Sequence, residues 1–345
     1  MSKGDVNKDF SVEYIDKSKT LNFLENLQVK LDDYQLHRPR LSFLYAIYKK
    51  YGQDQGGYQA ALITYYGFLS LFPLLVAAMS LAQLSLLKNA HIKQHVIHAL
   101  NSYLPIVGHE LQTHVHAEKE AGLALGISLL LTVYGARGVA NALQQAMNHI
   151  WQVPRALRAG FPNAPLRSLS IIFIGGFGFM VSGVLSSYTS GLHNPPALRF
   201  SALVGSLLVV FISVLIVFKL SISIKNKYRD FLYGSITAAL GLQAIQLIAG
   251  FLITHELRHF NSLYGSIGLV FVVLFWIYLQ ARILLYSIEI DSIRLNGLWP
   301  RSLTSFRLTD GDKRALKLYA KREAYLQPPN EEVKVNLDTD NNKPE

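Results

Sequence analysis

The chain alternates between long uncharged stretches and short connectors dense in charge. Residues 60–87, AALITYYGFLSLFPLLVAAMSLAQLSLL, contain no Asp, Glu, Lys or Arg. Roughly 20 apolar residues suffice to cross the hydrocarbon core of a bilayer as a helix. Five more long apolar stretches lie near 121–136, 167–192, 200–218, 231–254 and 265–290, the last with Arg282 and Glu289 inside it. The pattern predicts an all-α polytopic membrane protein. Residues 1–40 are expected as an N-terminal tail, 41–290 as a membrane domain of six transmembrane helices, and 291–345 as a C-terminal tail. Arg137 interrupts the second stretch, but apolar residues at helical spacing run on to Trp151, so that helix is expected to continue beyond the membrane. Leu41, Leu44, Ile47 and Tyr48, with Arg38, Arg40, Lys49 and Lys50 alongside, predict an amphipathic helix at the membrane surface after the break at Pro39, a pattern that a helix packed on the cytoplasmic loops would share. Asp54 stands just before the first span, where a carboxylate favours a helix N-terminus. The C-terminal tail predicts one helix over 313–325. Residues 1–20 and those past about 327 are polar and unpatterned and are expected to be disordered.

Composition agrees with this reading. Half of the 345 residues are hydrophobic and 16% are charged, against roughly 25% charged in an average soluble domain. The net charge of +10 then reports basic connectors facing anionic headgroups, and membrane lipids rather than nucleic acid are the expected partners. The absence of cysteine excludes disulfides, thiolate metal sites and a cysteine nucleophile. The first forty residues lack an apolar core, so no cleaved signal peptide is expected. Orientation follows from the basic residues. One set of connectors holds Arg38, Arg40, Lys49 and Lys50, then Arg137, Arg155, Arg158 and Arg167, then Lys219, Lys225, Lys227 and Arg229. The alternate set holds only Lys88, Lys93, Lys119, Arg199 and Arg258, which predicts both termini in the cytoplasm and an even number of spans. There is no phosphate-binding Gly-x-x-x-x-Gly-Lys-Ser/Thr and no framed serine nucleophile, and no cofactor is expected.

Four segments together resemble one family. They are Asp54 with Ala60-Ala61-Leu62, Tyr65-Tyr66 and Ser70-Leu71-Phe72-Pro73; Arg137, Asn141, Met147-Asn148 and Ile150-Trp151; Arg229-Asp230 with Gly234; and Tyr264-Gly265-Ser266-Ile267-Gly268 leading through Trp276-Ile277-Tyr278 to Glu289. In combination they are similar to the YihY/virulence factor BrkB family of bacterial inner-membrane proteins, from about Phe43 to Ile290. The chain departs from the family pattern at Lys219–Lys227 and at Tyr286-Ser287. The resemblance implies a six-helix inner-membrane protein of the cell envelope, with transport of a lipid or other anionic amphiphile proposed for some members and an old ribonuclease label on others. A homo-oligomer or an envelope protein partner is compatible with it.

Several residue groups are candidates for chemistry. His91 and His95 stand four apart and suit one metal from one helix face, and His114 and His116 with Glu118 form a partial metal motif that lacks its final histidine. The plainer reading is a solvated amphipathic helix, and neither a metal site nor an enzyme is expected. Charges at membrane depth cost roughly 2.5–3.5 kcal/mol on insertion scales and usually pair or face water. Arg137, Asn141, Arg282 and Glu289 are therefore expected to line a polar vestibule, with the arginines as donors to an anionic headgroup. Arg282 and Glu289, seven apart, share a helix face. The structural alternative is a snorkelling Arg282 that pairs with Glu289. Pro73 frees the carbonyl of Leu69 and predicts a kink in the first span, either an ordinary packed kink or a hinge with Tyr65, Tyr66 and Ser70 as lining, while Gln243 and Gln246 of the fifth either line the same path or bridge helices. A lipid transporter or flippase-like protein is the first functional reading. A non-transporting scaffold is the second, and a membrane-bound hydrolase or ribonuclease is disfavoured.

Overall fold

The computed structural model describes residues 30, 32–83, 121–158, 160, 163–190, 195–255, 265–303 and 308–322, without the side chains of 72, 74–83, 121–125, 187–190, 249–255 and 265–269. Its helices are α1 (Pro39–Gln53), α2 (Gly56–Gln83), α3 (Ala121–Ile150), α4 (Asn163–Ser190), α5 (Pro196–Ser221), α6 (Leu232–His255), α7 (Gly265–Asn296) and α8 (Asp310–Arg322). No strand occurs among the described residues. The histidine-bearing segment with His91, His95, His114 and His116 lies outside them, as do the two tails expected to be disordered.

Helices α2 to α7 close a ring in chain order. Each packs on the next, and α7 returns to α2. Small residues let these helices approach: Gly135 and Gly138 of α3 face Ser70 and Tyr66 of α2, and Gly178 of α4 faces Ser213 of α5. Phe173, Phe177, Leu208, Ile212, Phe271 and Phe275 point outward and are exposed, an apolar outer surface of the kind a bilayer covers. The protein is thus a multi-pass membrane protein.

Six spans are expected from sequence. Among the described residues four helices are long and apolar enough to cross, over Asn163–Ser186, Pro196–Ser221, Tyr228–Ile248 and Val270–Asn296. In α3 the apolar start, over 121–125, carries side chains outside the described set. In α2, most of the apolar second half carries side chains outside the described set.

Helix α1 corrects a second expectation. Pro39 occupies its first turn, where a missing amide donor costs nothing. The helix is built into the end of the ring rather than only lying on the membrane: Ser42, Ala46, Ile47, Lys50 and Tyr51 are buried, while Leu41, Leu44 and Tyr48 are exposed. Ala46 and Ile47 form a small core with Ile293, Leu298 and Ala315, which brings α8 onto the same end. We call this end the base.

Two helix ends shape the base. At the end of α3 the amide of Gln152 donates to His149 and that of Val153 to Asn148, at 3.0 and 2.9 Å, with Gln152 at φ 54°. This is the left-handed cap usually given to glycine. Gly297, at φ 59°, closes α7 in the same way. At the start of α6 the amide of Gly234 donates to Asp291 of α7 at 2.9 Å, and a β-carbon there would collide with the Asp291 carboxylate and the Ser287 carbonyl.

Gly234→Ala is therefore expected to lower stability by about 1–3 kcal/mol through overpacking. Gly52→Ala, on an open face of α1 with nothing near its β-carbon, is expected to raise it by up to about 1 kcal/mol. Thermal unfolding of the purified protein compares the two.

Candidate functional site

Lys50 is carried by the last turn of α1 to a place with no exposed surface. Its ammonium donates to Asp54 Oδ2 at 2.6 Å, to Glu289 Oε2 at 2.6 Å and to the carbonyl of Ile150 at 2.8 Å. Those three acceptors use all three of its donors. Asp54 follows one turn later on the chain, Glu289 comes from α7, and Ile150 is the last residue of α3, whose carbonyl has no partner within its own helix. Asp54 and Glu289 are likewise fully buried. Burial opposes the charge on Lys50, but Glu289 and Asp54 outweigh it and its pKa lies above the ordinary lysine value.

A second shell of contacts completes the cluster. Asp54 Oδ1 accepts from Gln152 Nε2 at 2.7 Å and from the Arg322 guanidinium at 3.4 Å. The left-handed turn at Gln152 is what turns its amide towards Asp54. The Ser292 hydroxyl donates to the Ile150 carbonyl at 3.0 Å. Arg322, from the end of α8, also meets His149 Nε2 at 3.0 Å. His149 lies well past the apolar half of α3, and burial followed by the Arg322 charge lowers its pKa to about 4. Two ammonium or guanidinium groups thus stand against two carboxylates. Two acceptors in the cluster, Glu289 Oε1 and Gln152 Oε1, have no hydrogen-bond donor.

Helix α8 is fastened beside this cluster by Asp312. Its carboxylate accepts from Arg301 Nε at 2.7 Å, the Ser302 amide at 2.9 Å, Thr309 Oγ1 at 2.7 Å and Lys49 at 3.2 Å. Thr309 in turn accepts from the Asp312 amide, a capping box that starts α8 three residues before the expected Lys313. Burial would raise the Asp312 pKa, but the Ser302 amide, Thr309, Lys49 and Arg301 outweigh it and hold it below the ordinary carboxylate value. Asp32 reaches the same connection, accepting from Ser302 Oγ at 2.6 Å and the Leu303 amide at 2.9 Å.

Further into the ring lies a cavity of about 300 Å³ between α2, α3, α4, α5 and α7. Val139, Leu143, Ile172, Phe179, Val214 and Phe218 supply much of its wall, Gly175 and Gly176 leave room in it, and Ser70 and Ser213 are its polar residues.

The structure separates the residues expected to form one vestibule. Glu289 belongs to the Lys50 cluster. Arg282 stands on the α1 side of α7 among Tyr51, Tyr278 and Tyr286, donating to the Tyr286 hydroxyl at 3.2 Å with its guanidinium over all three rings. Asn141 accepts from Ser168 Oγ at 2.6 Å, in a network that Gln144 joins from the same helix. Arg137 is exposed on α3. Ser70 lines the cavity and donates to the Gly67 carbonyl at 2.8 Å. Tyr66 packs on Gly138, Tyr65 is exposed, and Pro73 sits half-buried within α2. Gln243 and Gln246 are half-buried on α6, and Gln243 Oε1 has no donor. Among the described residues no group of three or more His, Asp and Glu is placed to hold a metal.

Lys50, Asp54, Gln152 and Arg322 escape a sequence reading that treats Lys50 as an orientation charge and Asp54 as a helix-end charge. The available signal is the i,i+4 spacing of Lys50 and Asp54 at the edge of the first span, which pairs them on one face.

Removing one partner of a buried ion pair typically costs about 3–5 kcal/mol, because the other charge is left uncompensated. Lys50→Met is expected to lose that much stability, and adding Glu289→Gln is expected to restore part of it, as read from the folded yield and thermal midpoint of both variants. Asp312 gives a pH signature. Its folded-state pKa is depressed below 3.8, so its contribution is complete above that value and is lost as pH falls through the lower folded one. Limited proteolysis at the start of α8 should show this acid limb in the wild type and not in Asp312→Asn.

The family model described as Virulence factor BrkB matches residues 47–297. A ribonuclease-like protein, YfkH, of Bacillus subtilis is 22% identical over 271 residues, covering 73% of this chain and 95% of the relative. UPF0761 membrane proteins of Chlorobium phaeobacteroides and Psychrobacter are 25% and 24% identical, over 70% and 78% of this chain. The chain spans about half the length of these two, 55% and 51%. No solved structure matches. The matched segment takes in α2 to α7 and the later part of α1, including Lys50, Asp54, Gln152 and Glu289, and on that ground the chain belongs to the virulence factor BrkB family.

Proposed function

We propose that the protein is a six-span inner-membrane protein of the bacterial cell envelope that moves or gates an anionic amphiphile, and that the cavity holds the amphiphile's hydrocarbon chain. The cavity carries this reading. Its volume of about 300 Å³ reaches the lower end of the range of roughly 300–1,000 Å³ typical of ligand sites. Its wall is hydrocarbon apart from two serines, so an apolar chain can pass into it from lipid without desolvating a polar group, whereas a polar occupant would lose hydration without finding partners.

Other features support the same reading. Arg137 stands exposed on α3 next to cavity-lining Ala136, where its guanidinium can receive a phosphate or carboxylate. Pro73 lies one turn from cavity-lining Ser70, so a hinge there would alter the cavity wall. Completing six spans requires α2 and α3 to cross beside the other four, which their places in the ring allow. Lys49, Lys50, Arg301 and Arg322 gather at the base, which supports a cytoplasmic base with both termini. The scaffold reading draws instead on the tight packing of Met147, Ile150, Phe231, Leu285 and Ile288, all fully buried. It requires the cavity to be dispensable.

Gly176 separates the two readings. It lines the cavity and a β-carbon there meets nothing within 4 Å, so Gly176→Leu adds a side chain at the cavity wall from a position with open space around it. The transport reading expects the variant to fold with an unchanged or higher thermal midpoint and to lose the amphiphile that co-purifies with the wild type, read by mass spectrometry. Retention of that amphiphile at wild-type level, or none in the wild type, contradicts it.

A further inference from the structure

The Lys50 cluster holds charges that the cavity reading does not use. Three of them, Lys50, Asp54 and Glu289, are fully buried, and among these three there is one more carboxylate than ammonium. The excess is balanced by Arg322, which arrives from outside the ring at the end of α8 and touches Asp54 at 3.4 Å. An unbalanced buried charge is expensive. When α8 is docked, Arg322 supplies the second cation. When it is not, one proton on the carboxylate pair restores neutrality. The site for that proton is present: Glu289 Oε1 is buried without a donor, and Asp54 and Glu289 lie side by side on the same ammonium.

We propose that the Asp54–Glu289 pair is a proton-binding site, and that a proton there and Arg322 of the docked α8 are alternative occupants. Proton uptake therefore releases the Arg322 end of α8 from the base, while Asp312 and Ala315 keep the start of the helix in place, and docking of that end expels the proton. The inference does not depend on what the cavity holds.

The other charged and titratable groups facing the pair limit the alternatives. From α1 they are Lys50; from α3, His149; from α8, Tyr319 and Arg322; and, farther off, Arg301. Lys50 keeps its proton, since its pKa is raised. Tyr319 is also pushed upward, first by burial and then by Asp54 and Glu289, and stays neutral. His149 is the competitor, because a protonated imidazole would repel Arg322, but burial and Arg322 hold its pKa to about 4. Asp312, the anchor at the far end of α8, titrates below the ordinary carboxylate range. Within the Lys50 cluster the carboxylate pair is the group left to take the proton; the buried Asp291 carboxylate, two residues on from Glu289, faces Gly234 of α6 and not Lys50 or Arg322.

The chain has no cysteine, so spin labels on Leu44→Cys of α1 and Ala320→Cys near the end of α8, both exposed positions, report their separation in the full-length protein in lipid nanodiscs. One short distance at pH 8 should give way to a longer, broader population towards pH 5, the ratio of released to docked forms rising by up to tenfold per pH unit for one proton. Glu289→Gln leaves Lys50 and Asp54 balanced without Arg322, so the longer distance should dominate at both pH values. His149→Gln should keep the wild-type response. A distance that does not change with pH in the wild type, a wild-type response in Glu289→Gln, or its loss in His149→Gln overturns the proposal. Arg322→Gln gives a second arm should Glu289→Gln not fold: infrared difference spectroscopy at pH 7 should find a protonated carboxyl absent from the wild type. Its absence from the variant also overturns the proposal.

Discussion

An ammonium group with no contact with solvent sets the terms for the rest of this molecule. Removing such a charge from water costs several kcal/mol even after relaxation, and only a full set of well-placed acceptors recovers it. The acceptors of Lys50 come from its own helix, from the last carbonyl of α3 and from Glu289 of α7. None of these elements can move away without leaving a buried donor or acceptor unpaired. The base therefore behaves as one unit. The polar residues of the second half of α3 extend it, since Gln144 donates to Ser168 of α4 at 2.8 Å and Asn148 accepts from the Ser223 amide after α5 at 2.9 Å.

Deeper in the ring the packing follows different rules. Between α2 and α3, and between α4 and α5, contact depends on glycine facing serine or tyrosine, so close approach replaces hydrogen bonding as the attraction between helices. The cavity lies in that region, and five helices share its wall. A polar, interlocked base thus adjoins an apolar ring whose helices meet through small residues.

The sequence reveals the parts of this arrangement that depend on local pattern. Five of the long helices begin within about four residues of where uncharged stretches place them, and α3 begins at Ala121 as expected. The family is legible in short segments such as Arg229-Asp230 with Gly234, and the structure supplies the reason for that glycine in the Asp291 carboxylate pressed against it. What local pattern hides is pairing across the chain. Lys50 and Glu289 are 239 residues apart, and nothing in either neighbourhood distinguishes a buried lysine from a loop lysine near a membrane. Arg282 and Glu289 share a face as their spacing implies, yet that face meets α1, so each takes a different partner from it. Arg322 is further from reach, because its role follows from the docking of a tail helix whose start is fixed by the Thr309–Asp312 capping box.

If the buried ammonium organises the base, α1 is part of the core rather than an appendage resting on it. Hydrogen–deuterium exchange of the full-length protein in nanodiscs tests this most directly, by comparing the amides of residues 46–54 with those of residues 283–293 in α7. The two segments are expected to exchange together and only through global opening. Exchange of residues 46–54 at the fast rate of a fraying peripheral helix, with α7 still protected, would contradict the account.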